Sequence, residues 1–282
     1  MLKKLAVWIC LCVISISILL SGSFRKIYYG IELPIIAYHN LSFDIVKSND
    51  LNTTPEKFRS DLAELKKAGY TAIFFRDIIG FYENKVELPA KPVLITLDDG
   101  YLSSYAIAFP ILKELDMKAT VFILGINAGR STDAMTGEKL IPHFSADQAL
   151  EMAASGLIEI QMHTYNLHKP SINMMDVRGF LSPDTYADYL SRDTEAIRDY
   201  IEKAAHTRAY ALAYPYGYYD GLTEKILRGS GVLVTVTSRP GVNRIYRGAY
   251  GLYNMKRLFP SDKPALEMIN EYVSGIYISS AA

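Results

Sequence analysis

Three short stretches of this chain carry side chains suited to hydrolysis. Val93-Leu94-Ile95-Thr96-Leu97 is an apolar, β-branched run that stops at Asp98-Asp99-Gly100. Such a run reads as a buried strand delivering two carboxylates to a loop at its C-terminal end, where α/β folds keep their chemistry. Adjacent residues leaving a strand point in roughly opposite directions, so one acid can bind a cation while the other stays free to take a proton. A second apolar run, residues 157–162, ends at His163, and His168 follows five positions later. That spacing suits a loop better than one face of a helix. Two neutral imidazoles and a carboxylate make a three-ligand set for catalytic zinc, with one position left open for water. A third run, 209–213, ends at Tyr214-Pro215-Tyr216-Gly217. Each stretch alone has a plainer explanation, an Asp-Gly turn or a pair of solvated histidines. The three strand exits together point to one shared site.

The elements that must position these residues alternate along the chain. Strands read at residues 33–39, 70–75, 93–97, 119–123, 157–162, 209–213 and 232–236. Helices read between them. One opens at Thr54-Pro55-Glu56 with an N-cap and a first-turn proline. Another opens at Ser145-Ala146-Asp147-Gln148, a capping box. Others span 77–82, 105–115, 183–206, 222–228 and 264–273, while 125–142 and 165–182 read as long loops. Strand–helix alternation of this kind predicts parallel strands joined by right-handed crossovers. With about seven repeats the natural closure is an α/β barrel, complete or not. No internal repeat or low-complexity tract interrupts it.

Composition narrows the class further. The chain has 282 residues, half of them hydrophobic, enough for a sizeable core. Thirty Lys plus Arg balance thirty Asp plus Glu, so no basic excess calls for nucleic acid. Twenty-one tyrosines suit flat sugar rings, but tyrosine is also a routine core and rim residue. Both cysteines, Cys10 and Cys12, fall in the first stretch, which excludes a disulfide framework or a thiolate site from the rest. Met1-Leu2-Lys3-Lys4 and the apolar run 5–20 have the layout of a secretory signal, and Ser21-Gly22-Ser23 offers small residues for cleavage. Residues 1–23 are therefore a signal peptide or an uncleaved N-terminal membrane anchor, 24–32 a linker, and 33–282 an exported domain. No cysteine follows the run to carry a lipid.

Thr96-Leu97-Asp98-Asp99-Gly100, His163-Thr164 with His168, and Tyr214-Pro215-Tyr216-Gly217 resemble the first three motifs of the NodB-type polysaccharide deacetylases, carbohydrate esterase family 4. The resemblance spans residues 33–259. The histidine spacing and the Tyr-Pro-Tyr-Gly form are most similar to the branch that deacetylates poly-β-1,6-N-acetylglucosamine. It implies an α/β fold, a distorted (β/α) barrel of about seven parallel strands. It assigns Asp98 as general base and Asp99, His163 and His168 as ligands of a divalent metal, zinc before others. Thr164 helps order the loop or the substrate, the Tyr216 backbone N–H faces the oxyanion, and Pro215 joins them on the oxyanion and substrate side. The implied protein is an extracellular or cell-surface monomer that removes N-acetyl groups from a polysaccharide containing N-acetylglucosamine.

The chain also departs from that pattern. Many members place an arginine where Ala213 stands, to orient the base. By charge alone Arg239, Arg244, Arg247 and Arg257 are candidates to replace it. No histidine follows His206, although many members end with a Leu-x-His whose histidine is the general acid. Protonated Asp98, His39 at the exit of the first strand, His143 in a loop, or water must serve instead. His206 ends a helix, where a cation suits the dipole. Two other functions share the same residues: a non-catalytic carbohydrate-binding relative, and an O-deacetylase of acetylated sugars.

Overall fold

The computed structural model describes residues 30–43, 51–134, 136–169, 172–248 and 252–274. Residues 1–29, on which the signal or anchor expectation and most of the linker fall, lie outside them. Among the described residues, seven strands build the central sheet: β1 (Ile35–Tyr38), β2 (Pro92–Leu97), β3 (Ala119–Leu124), β4 (Ile158–Thr164), β5 (Ala211–Ala213), β6 (Val234–Pro240) and β7 (Met255–Arg257). They lie in chain order, each parallel to the next. Just past β7 the chain bonds to β1: Ala37 N–H donates to Leu258 O and Leu258 N–H to Ile35 O, both at 2.8 Å. These bonds draw the two edges together, giving the near-closed (β/α) barrel that the alternation predicts.

Strand β4 shows how sequence period becomes two faces. Ile158, Ile160 and Met162 pack outward into a core shared with Leu190, Ile197 and Ile201. Those three residues belong to the long helix Pro183–Ala205, whose buried positions recur every three or four residues. Ser182 caps that helix by accepting from Thr185 N–H, and His206 ends it in the left-handed region at φ 52°. The alternate residues of β4, Glu159, Gln161 and His163, are buried on the other face. Ile35, Leu94, Phe122, Ala211 and Val234 form a second apolar cluster.

Four sequence expectations need correction. The run 70–75 forms a strand only at Thr71–Ala72, beside β2, because Phe74 already begins the helix Phe75–Tyr82. Asp77 fixes that start by accepting from Phe74 N–H at 2.8 Å. The seventh ring strand is instead β7, which is too short to show a period. The expected loop 165–182 contains a small hairpin, His168–Lys169 with Ile172–Asn173, and the helix Met174–Phe180. Asn173 nucleates that helix by accepting from Met175 and Asp176 N–H at 2.9 and 3.0 Å. Ile31 and Glu32, read as the end of the linker, pair antiparallel with Ile245 and Arg244.

Glu159 is a buried acid with no counter-charge in direct contact. Its carboxylate accepts from Phe75 N–H and Thr120 Oγ1, each at 3.2 Å, and from the Tyr210 hydroxyl. Burial outweighs those bonds and pushes its carboxyl up to about 7, from an ordinary 4.5. The folded protein therefore keeps a proton that the unfolded chain releases. Stability from this group is complete below pH 4.5 and is lost as pH rises towards 7. Glu159→Gln should remove that dependence. Relative to the parent, its unfolding free energy should gain up to about 3 kcal/mol across that window. Denaturant titrations at several pH values measure the difference, and parallel curves would contradict it.

Candidate active site

The C-terminal ends of the barrel strands open into a cleft of about 720 Å³, whose walls include His39, Asp98, Asp99, His163, His168, Tyr216 and Arg257. Three strand exits reach it through left-handed backbone. Asp99 and Gly100 sit at φ 71° and 77°, Thr164 at 136°, and Tyr216 and Gly217 at 56° and 72°. For Asp99 this overturns the simple strand rule. Its backbone has already left the strand, so both carboxylates face one cleft, with different partners. At Gly217 a Cβ would lie 1.9 Å from Ser238 Oγ, so only glycine fits. Thr164 is β-branched at a conformation costing about 1–3 kcal/mol. Its Oγ1 accepts from Leu167 N–H at 3.1 Å, tightening the turn that carries His168. Asp193, from the long helix, accepts from Tyr165 and Asn166 N–H at 2.9 and 2.8 Å and holds the same turn.

Asp99, His163 and His168 present ligand atoms that all lie within 4.8 Å of one another. Asp99 Oδ1 is 3.3 Å from His163 Nε2 and 3.4 Å from His168 Nε2. A tetrahedral cation with bonds of about 2.0–2.1 Å has edges of about 3.3–3.4 Å. His163 Nδ1 is 2.8 Å from Ala213 O, to which it donates, so Nε2 is left as the lone pair facing the cluster. Asp99 Oδ1 is buried without a hydrogen-bond partner, an expensive state unless a cation completes it. Burial, then the neighbouring His163, bring His168 down to about 4, so it is neutral and ready to ligate. Burial opposes charge on Asp99, but the adjoining His163, His168 and His39 more than offset it and hold its carboxyl well below the usual range. The donor set fits a divalent metal.

Asp98 stands outside the triad. Its Oδ1 accepts from Arg257 Nη1 at 2.8 Å, and its Oδ2 lies 3.7 Å from His39 Nε2. Burial raises the Asp98 carboxyl, yet Arg257 and then His39 more than offset it, so the net shift is downward and the group is ionised. Arg257 is itself only 2% exposed and is fixed by donating from Nε to Thr237 O at 2.8 Å. Of the four arginines considered for orienting the base, Arg257 is the one that reaches it. Arg244 and Arg247 instead pair with Glu32 and Glu87. Arg257→Met should leave a buried carboxylate without its cation, costing about 3–5 kcal/mol of stability. Turnover should fall about 10–100-fold through misplacement of Asp98. Denaturation and initial-rate measurements read the two effects separately.

A family model described as polysaccharide deacetylase matches residues 85–234, just over half of the chain. The chain belongs to the polysaccharide deacetylase family. It is similar to YxkH of Bacillus subtilis (strain 168), which bears a polysaccharide deacetylase name, with 28% identity over 225 residues covering 80% of this chain and 71% of that one. It is 24% identical over 254 residues to the poly-beta-1,6-N-acetyl-D-glucosamine N-deacetylase of Escherichia coli (strain K12), covering 82% of this chain but only 37% of that protein. Among solved structures, the Streptococcus pyogenes deacetylase PplD in complex with acetate superposes with a TM-score of 0.65 at 26% identity, over 85% of this chain and 99% of that one.

In this polysaccharide deacetylase the remaining sequence candidates divide. His39 lines the cleft, its ring stacked at 6.1 Å on Phe259. Tyr216 stacks on His168 at 4.6 Å, with buried Pro215 beneath the turn that carries it. His143 does not line the cleft. It is buried against the Tyr101 ring at 5.1 Å, with both nitrogens unpartnered. Arg257 and Asp193 are the residues that sequence reasoning left unplaced. A helix carboxylate such as Asp193 carries no signal in one sequence. Arg257 was one of four arginines offered by charge alone, with nothing in the sequence to choose it.

Proposed function

We propose that this chain is a metal-dependent N-deacetylase of an extracellular poly-N-acetylglucosamine-like polysaccharide. The observation that carries this reading is the division of labour at Asp98-Asp99. One carboxylate joins two imidazoles in a three-donor set, while its neighbour is held free and ionised by Arg257. A pure binding protein needs no such free base. Asp99, His163 and His168 are the ligands, and zinc suits them first. When bound, that cation supplies Lewis acidity towards the acetyl carbonyl and towards water.

The chain's own residues do the rest. Asp98 takes one proton from water as its oxygen adds to the acetyl carbon. The Tyr216 N–H stabilises the oxyanion, in a turn closed by bonds from Gly217 to Tyr214 and from Tyr218 to Pro215. As the carbon–nitrogen bond breaks, the proton that Asp98 took returns to the nitrogen, with His39 Nε2 3.7 Å from Asp98 Oδ2. The products are acetate and a free amino sugar. The E. coli relative's name supports the substrate class. The lysine-led apolar run at 3–20 supports export, by a cleaved signal or an anchor. Among the described residues no helix is long and apolar enough to cross a membrane.

Acetate release from N-acetylated and O-acetylated polymers, with and without a chelator, tests the reading. Chelator-sensitive release from the N-acetylated polymer is expected. Release only from O-acetylated sugars would make the chain an O-deacetylase. Tight glycan binding with no release from either would leave a non-catalytic relative.

A further inference from the structure

Two residues beside the triad have no part in the chemistry above, Tyr101 and His143. Tyr101 lines the cleft together with Asp99. It follows Gly100, which sits at φ 77° and where a Cβ would meet Ile123 Cγ2 at 3.0 Å. This tight turn brings the Tyr101 hydroxyl back within hydrogen-bond reach of the Asp99 carboxylate. The segment 142–144 holds Tyr101 there. Leu102 N–H donates to Pro142 O at 2.6 Å, and Phe144 N–H donates to Gly100 O at 3.2 Å. Between those bonds Tyr101 and His143 pair as an antiparallel bridge. The buried His143 ring packs on the Tyr101 ring at 5.1 Å with 50° between planes, and His143 N–H donates to Arg130 O at 2.9 Å. The long loop after β3 thus returns to the site and walls in the phenol.

Asp99 needs such a hold. Its Oδ1 faces His163 and His168 Nε2 at 3.3 and 3.4 Å and has no hydrogen-bond partner. The terminal torsion of an aspartate is broad, so a donor from outside the triad is what fixes the plane of the carboxylate. We infer that Tyr101 is a positioning residue for the metal ligand Asp99, its hydroxyl donating to that carboxylate while the His143 ring backs the phenol. This rests on the metal-dependent reading above and deepens it. Removing the hydroxyl loosens one ligand without altering any ligand atom.

The test compares the full-length parent, Tyr101→Phe and, as a control, Tyr105→Phe, whose hydroxyl instead donates to Glu151 Oε2 at 2.7 Å on the surface. Each is stripped of metal, and zinc Kd is read by competition with a chromophoric chelator, with no substrate present. Tyr101→Phe should raise Kd about tenfold, as loss of an outer partner of a ligand does, while Tyr105→Phe stays within about twofold of the parent. Denaturant midpoints of the three metal-free proteins should agree. At saturating zinc, Tyr101→Phe should lower kcat and leave KM unchanged. An unchanged zinc Kd in Tyr101→Phe, or an equal loss in Tyr105→Phe, would overturn the assignment. So would a lowered metal-free midpoint in Tyr101→Phe, which would make the hydroxyl a structural group. Zinc binding that depends on Tyr101, in a parent that releases no acetate from either class of polymer, would overturn the deacetylase reading and leave the role of Tyr101 standing.

Discussion

Asp98→Asn is expected to lower turnover about 10³-fold while leaving bound metal unchanged. Asparagine keeps the shape and can still accept from Arg257 Nη1, so the local packing survives. It cannot take the proton from water, and general bases of this kind contribute about 10²–10⁴-fold. None of the triad contacts runs through Asp98, so metal content isolates the missing base from a missing cation. Arg257 then keeps a neutral partner in a buried position, which should cost stability by about 1–3 kcal/mol. Acetate-release rates and elemental analysis of the same preparation decide the matter. Undiminished turnover would remove Asp98 from the mechanism.

His163→Ala and His168→Ala should each weaken metal binding by more than about 100-fold and take activity to background. The two should nevertheless differ in stability. His163 is fully enclosed, and its loss opens a cavity and strips Ala213 O of its donor. That should cost about 2–4 kcal/mol. His168 is one-fifth exposed and stacks on Tyr216, so its removal should cost under about 1 kcal/mol. Metal content after dialysis and denaturant midpoints measure both. Full occupancy in both variants would dismiss the ligand assignment.

Much of the barrel was legible because its strands are long enough for an apolar run to stand out, as at Val93–Leu97 and in the 119–123 run. Asp99 and His163 were legible because each follows such a run, and His168 because it comes five positions after His163. Strand β7 was not, since three residues with Lys256 exposed between buried Met255 and Arg257 show no usable period. The hairpin at His168 was missed for a related reason. Two-residue strands are set by tertiary contacts and a single cap, Asn173, rather than by any repeating pattern. The partner of Asp98 is a long-range fact: 159 residues separate it from Arg257. Charge alone offered four arginines, and only the folded ring could choose among them.

The bonds between Leu258 and the first strand tie the closing of the ring to the placing of Arg257. Without Met255–Arg257 the other six strands would leave Asp98 an enclosed carboxylate with no arginine beside it. A chain cut before Met255 would lack both the seam bonds and the cation beside Asp98. Closing the seam and placing the cation beside the base are one event, because Arg257 and Leu258 are consecutive residues.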